Sequence, residues 1–234
     1  AKGIKGNMYN SLNFGGAIIF KCFPERKVFQ YTRNELFEEI VRELGAPISF
    51  NRLMDRYAVD IAIVEPQWNY ISRGFLSRKS WALVFWDDQS MVLLRRTAKN
   101  KKSIQSYEYR YVNPELAYEE LDSYPRNLAI AELKRSIRVS PYCSEAHLLL
   151  GLIYSKKGGY YIKLAEEELI KALKLQPYSL TANYELAKFY ARGGNFRESV
   201  KYYKKAVSLS KVYKLDAMKR AIILEEMKIA KANL

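Results

Sequence analysis

Two stretches decide how this chain reads: Leu149-Leu150-Gly151-Leu152-Ile153-Tyr154 and Glu185-Leu186-Ala187-Lys188-Phe189-Tyr190. Superposing Gly151 on Ala187 puts Tyr154 on Tyr190 and Gly158 on Gly194, and brings Ala165 onto Ser199 and Ala172 onto Ala206. Small residues recur where two helices must approach closely, while Tyr154, Leu173, Tyr190 and Tyr203 fill the space between. A preceding, degenerate unit ends in Ala129, Leu133, Ser136 and Pro141, in register with Ala165, Leu169, Ala172 and Pro177. Generic amphipathic helices would not share a register at so many positions. The expectation is an all-helical repeat array over residues 113–234, with units near 113–143, 144–179 and 180–212 and a capping helix over 213–234. In that last helix Leu215, Met218, Ile222, Ile223 and Met227 should face inward, with Lys219, Arg220, Glu225, Glu226 and Lys228 outward.

The pattern Leu150-Gly151-x-x-Tyr154, followed by Gly194-Asn195-Phe196 in the second unit and by Ala, Ala and Pro, resembles the tetratricopeptide repeat. The unit starting near Leu180 has that spacing throughout; the unit starting near Ser144 carries two extra residues near Gly159-Tyr160. The resemblance implies an α-helical solenoid that binds rather than catalyses. It would expose Glu145, Leu148, Leu152, Ser155 and Lys156 from one unit, and Thr181, Tyr184, Lys188, Ala191 and Arg192 from the next, along a concave groove. Lys156, Lys188 and Arg192 would make that groove basic around a Tyr184 platform, suited to an extended acidic peptide. The Lys/Asn set that clamps a terminal carboxylate in chaperone-binding members is not reproduced, and Glu185 would oppose it. An array that only braces the first domain stays open as the other reading.

Residues 1–97 read as alternating strands and helices, a small α/β sandwich. Ala17-Ile18-Ile19-Phe20 and Val28-Phe29-Gln30-Tyr31 are short β-type runs around Pro24-Glu25-Arg26. Leu36, Phe37, Ile40, Val41 and Leu44 have helical spacing, stopped by Gly45 and Pro47. Phe50, Leu53, Met54 and Tyr57 mark a second short helix, and Ile71 to Leu76 a third. Val59–Val64 is a buried strand, and Trp81–Trp86 with Met91–Leu94 is a hairpin about Asp87-Asp88-Gln89-Ser90. Arg95, Arg96, Lys99, Lys101 and Lys102 crowd a polar stretch, so residues 98–112 are expected to be a basic linker. The whole is α+β in two domains.

The first domain carries its own resemblance. Asn10-Ser11-Leu12-Asn13-Phe14-Gly15-Gly16, Pro24 to Phe29, Tyr57-Ala58-Val59-Asp60 and Trp81 to Asp88 are similar to the C-terminal extracytoplasmic domain of polytopic glycosyltransferase-like membrane proteins of the dolichyl-phosphate-mannose mannosyltransferase type. The match spans about residues 8–96. It implies an accessory domain tethered through membrane helices upstream, with Arg33 and Asn13 as ligand contacts. Where that family has an Asp two residues before the Arg, this chain has Tyr31. The start at Ala1 instead of Met fits a processed chain or a segment of a longer one.

Of the 234 residues, 49% are hydrophobic and 14% aromatic, which excludes wholesale disorder. Cys22 and Cys143 are too few for a disulfide framework or a Cys-rich metal site, and a lone His147 gives no second imidazole to ligate or relay. Gly15-Gly16 is read as backbone room before a strand, and Asp87-Asp88 as a turn. No catalytic constellation, metal site or cofactor site is expected. The net charge of +14 is spread evenly: residues 1–110 hold 18 basic and 11 acidic side chains, residues 111–234 hold 21 and 14. The reading is a non-catalytic interaction or scaffold module on the extracytoplasmic face of a membrane, bound to a protein or peptide partner. Its rival is a soluble, cytoplasmic adaptor that binds nucleic acid or another polyanion.

Overall fold

A computed structural model describes residues 6–22, 52, 54–66, 79–112, 114, 123 and 125–234. The chain divides into two compact units, Ala1–Glu120 and Leu121–Leu234, one α+β and one helical.

In the first unit, four strands form a mixed sheet in the order β1-β2-β4-β3: β1 Asn7–Asn10, β2 Val59–Val64, β3 Trp81–Trp86 and β4 Met91–Arg95. β1 runs parallel to β2, and β4 is antiparallel to both β2 and β3. The β3–β4 hairpin forms where its sequence places it. Asp87 Oδ1 accepts from the backbone N–H groups of Gln89 (2.9 Å) and Ser90 (2.8 Å), so this carboxylate closes the turn. Trp81, Trp86, Met91, Leu93 and Leu94 are buried, the strand core that aromatic and branched residues build.

Two expectations for this unit are corrected. Ala17–Phe20 is not a strand: Gly15–Cys22 is a helix, α1, that buries Ile18 on Met8, Ile61, Ala82 and Leu94 while Phe20 stays exposed. A run of four apolar residues cannot tell helix from strand by period alone. Gly15-Gly16 therefore opens a helix, and a Cβ on Gly16 would meet open space, so no close backbone approach explains it. Residues 98–112 are not a linker. They form a 3-10 turn, Ala98–Asn100, and a helix, α2, Lys101–Tyr107, whose Ile104 joins the sheet core. The basic residues around them have acidic partners within the unit. Lys99 Nζ is 2.8 Å from Asp60, Arg95 pairs with Asp55, and Arg96 and Arg110 pair with Glu108. Buried Asn100 donates to the carbonyls of Asp60 and Arg95. The expected strand at 28–31, the helices at 36–44 and 71–76, and Arg33, Tyr31 and Trp68 lie outside the described residues.

The second unit is a run of antiparallel helices: α3 Arg126–Val139, α4 Ser144–Lys157, α5 Tyr161–Leu175, α6 Leu180–Arg192, α7 Phe196–Val212 and α8 Ala217–Ala232. Its geometry recurs. The α3–α4 turn is closed by Ser140 N–H to Ser136 O and Cys143 N–H to Ser140 O; the α5–α6 turn by Gln176 N–H to Ala172 O and Ser179 N–H to Gln176 O. Ser140 and Gln176 adopt nearly the same backbone angles, φ −132°, ψ 85° and φ −130°, ψ 80°. His147 Nε2 lies 3.4 Å from Pro141 O, and Asn183 donates to Pro177 O at 3.3 Å. Ala129, Leu133 and Ser136 are as buried as Ala165, Leu169 and Ala172. Gly151 sits where α4 and α5 touch: a Cβ there would lie 2.8 Å from Leu169 Cγ.

Candidate functional site

The open face of α6 holds the described residues best arranged to receive a ligand. Tyr184 is half-buried, and Lys188, one turn on, places its Nζ 4.9 Å from the Tyr184 ring centroid. The same ammonium lies 3.1 Å from the carboxylate of Glu185. Tyr203, from α7, packs at 6.1 Å from Tyr184 and donates to Glu226 of α8 at 3.0 Å. Burial, and then the hydrogen bond to and charge of Glu226, push the Tyr184 hydroxyl well above the ordinary tyrosine range, so it stays a neutral donor. Beside it, between α6 and α8, a cavity of about 240 Å³ is lined by Leu180, Thr181, Tyr184, Leu215, Lys219 and Ile222. It is an apolar slot with a hydroxyl and an ammonium at its rim.

Of the four expected groove residues, the structure brings Tyr184 and Lys188 into contact. Arg192 is exposed in the last turn of α6, and Lys156 is exposed near the end of α4. The groove expected to continue along α4 does not stay open: Leu148 and Leu152 are 1% and 6% exposed. Leucines on that face lose too much by standing in water, and α4 is buried on every side from Ala146 to Tyr154.

The last helix is also corrected. Ile223, Met227 and Ala230 turn inward at helical spacing, together with Glu226, whereas Met218 and Ile222 are exposed. The inward stripe is shifted along the helix from the one expected, because α7 is met by Ile223, Met227 and Ala230. That shift puts Lys219 and Ile222 at the cavity, which the sequence reading missed. The readable signal was that Ala221 follows Ala187 by 34 residues, close to the 36 that separate Gly151 from Ala187.

Elsewhere the chemistry is structural. His147 is buried, with Nδ1 2.5 Å from Glu168 Oε2 and Nε2 facing Pro141 O, so both ring nitrogens have partners within the helical unit. Cys143 is buried. Asn13 is exposed and donates to Glu65 Oε1 at 2.6 Å; its expected companion Arg33 lies outside the described residues. Among the described residues no group of His, Cys, Asp or Glu is placed to hold a metal ion, and no helix is long and apolar enough to cross a membrane. No protein-family model matches the chain, and no curated protein matches it.

Proposed function

We propose that this chain is a non-catalytic interaction module. Its helical unit is read as a tetratricopeptide-like array, a reading supported by the recurrence of turn and side-chain hydrogen bonds between the α3–α4 and α5–α6 junctions. Its working surface is the slot between α6 and α8, and one observation carries that proposal. A half-buried tyrosine, a lysine over its ring and an apolar cavity stand together on a face that its neighbours leave open. Such a slot takes an extended peptide with one apolar anchor for the cavity and acidic neighbours for Lys188, Arg192 and Lys219. The first unit is read as an accessory domain of a membrane-tethered, glycosyltransferase-like parent on the extracytoplasmic face, by the resemblance of residues 8–96.

The test titrates the whole chain with a fluorescent acidic peptide carrying a single leucine. Lys188→Glu with Arg192→Glu should weaken binding by about tenfold or more and flatten its salt dependence. The same charge change at Lys101 and Lys102, exposed on α2, should leave binding within about twofold. Equal losses from the two pairs would discard the slot in favour of diffuse polyanion binding through the +14 surface.

A further inference from the structure

We propose that the edge of the helical unit formed by the α3–α4, α5–α6 and α7–α8 junctions docks on an anionic phospholipid surface. This surface shares no residue with the lining of the α6–α8 slot. It rests on five exposed side chains that the sequence spreads over more than seventy residues: Val139, Tyr142, Tyr178, Val212 and Tyr213.

The fold gathers them. Each junction joins the end of one helix to the start of the next at the same end of the hairpins, and two hydrogen bonds tie the junctions together. Ser144 Oγ, at the start of α4, donates to Ala172 O in the last turn of α5. The Tyr213 hydroxyl donates to the Tyr178 carbonyl at 3.0 Å. Tyr142, Tyr178 and Tyr213 are nevertheless 82%, 70% and 56% exposed. Large rings held on loop tips, clear of any core, are not there for packing.

Charge selects the occupant. Arg138, Lys174, Lys211 and Lys214 flank the three tyrosines and are exposed; of the two acidic groups that stand three residues from one of these tyrosines, Asp216 caps α8 by accepting from Lys219 N–H and Glu145 is half-buried in the first turn of α4. Aromatic rings with a polar tip, among lysines and arginines, are the composition that settles at the headgroup level of a bilayer, where basic groups meet anionic lipid. Single-stranded nucleic acid would use the tyrosines as stacking platforms, but it needs a groove that tracks its backbone. Rings standing on loop tips fit a flat surface instead. Val139 and Val212, 58% and 70% exposed, offer a base nothing to stack on or bond to, yet both enter a lipid interface.

The experiment is co-sedimentation of the full chain with vesicles of phosphatidylcholine alone and of phosphatidylcholine mixed with phosphatidylglycerol. Binding is expected only to the mixed vesicles. Arg138→Ser with Lys174→Ser should weaken it by about fivefold per charge removed. Tyr142→Ser with Tyr178→Ser should weaken it further at unchanged charge. Tyr160→Ser, equally exposed but in the α4–α5 turn at the opposite end of the hairpin, should leave it unchanged. Tyr178→Trp supplies a second readout independent of loss of binding. The emission it adds to that of the parent chain should be quenched by bromine-labelled lipid chains, while that of buried Trp81 and Trp86 is not. No sedimentation with mixed vesicles, losses equal to that of Tyr160→Ser, or unquenched added emission from the Tyr178→Trp variant would each overturn the proposal. So would single-stranded DNA displacing the chain from vesicles with the same residue dependence.

Discussion

Position for position, α4 and α6 differ most on the face that carries Leu148 and Leu152 in one and Tyr184 and Lys188 in the other. α4 carries Leu148 and Leu152 there, and both are buried; α6 carries Tyr184 and Lys188, and both remain half-open. Behind that face the two helices are alike. Leu150 and Leu186, Gly151 and Ala187, and Tyr154 and Tyr190 occupy matching buried positions. The repeat register thus determines where each side chain points, and residue type determines whether that direction is closed or left to solvent. A helix face is a potential surface only where its own residues tolerate water.

Exchanging the two residues tests this most severely. Leu152→Lys puts the residue of α6 into α4, and an ammonium buried there without a carboxylate should cost about 3–5 kcal/mol. The reverse change, Lys188→Leu made together with Glu185→Leu so that the buried carboxylate is not left without its ammonium, should alter stability by no more than about 1 kcal/mol. Urea unfolding of both variants measures the contrast, and comparable losses would show that the two faces are not different environments.

A smaller effect is expected where the helices are alike. In Gly151→Ala the new Cβ would meet Leu169 Cγ at 2.8 Å and its backbone nitrogen at 3.1 Å, so α5 must shift. The loss should be about 1–3 kcal/mol, in spite of the roughly 1 kcal/mol that alanine gains over glycine in a helix. Ala187→Leu, overfilling the matching position against Val200 and Tyr203, should lose a similar amount. Gly16→Ala in α1, with nothing within 4 Å of its added methyl, should instead gain up to about 1 kcal/mol. Thermal melts of the three variants give the signs; a stabilised Gly151→Ala would mean that α4 and α5 are not in close contact.

How much of this was legible varies along the chain. The small-residue register and the β3–β4 turn were readable because each follows from a local rule: close helix approach needs a missing or minimal side chain, and Asp87 bonds its own turn. Ala17–Phe20 was misread because four apolar residues fit either period and only the partner surface decides. Residues 98–112 were misread because their charges look solvated until the acids they meet, 12 to 40 positions away for Arg96, Lys99 and Arg95, are brought alongside. The tyrosine edge was invisible for a related reason. Tyr142, Tyr178 and Tyr213 lie in three separate turns, and nothing in one turn announces the others.

The mildest way to separate the two hairpins is acid. His147 and Asn183 hold matching positions, but only His147 faces a carboxylate; Asn183 donates to the Ser179 carbonyl at 2.7 Å, a bond that does not titrate. Burial raises the pKa of Glu168, yet the hydrogen bonds and charges of His147 and Lys171 outweigh it, and the net value falls below the ordinary 4.5. A carboxyl whose pKa is lower folded than unfolded contributes its stability above the unfolded value and loses it as pH falls through the folded one. The α4–α5 hairpin should therefore weaken more than α6–α7 between about pH 5 and pH 3. Glu168→Gln should lower the melting temperature near neutral pH and flatten its fall across that acid window. His147→Asn, which copies the residue of α6, should flatten the fall less, because Lys171 still donates to Glu168 at 2.9 Å. Melting temperatures across the window decide the matter: a Glu168→Gln protein that declines as steeply as the parent would place the acid-sensitive contact elsewhere.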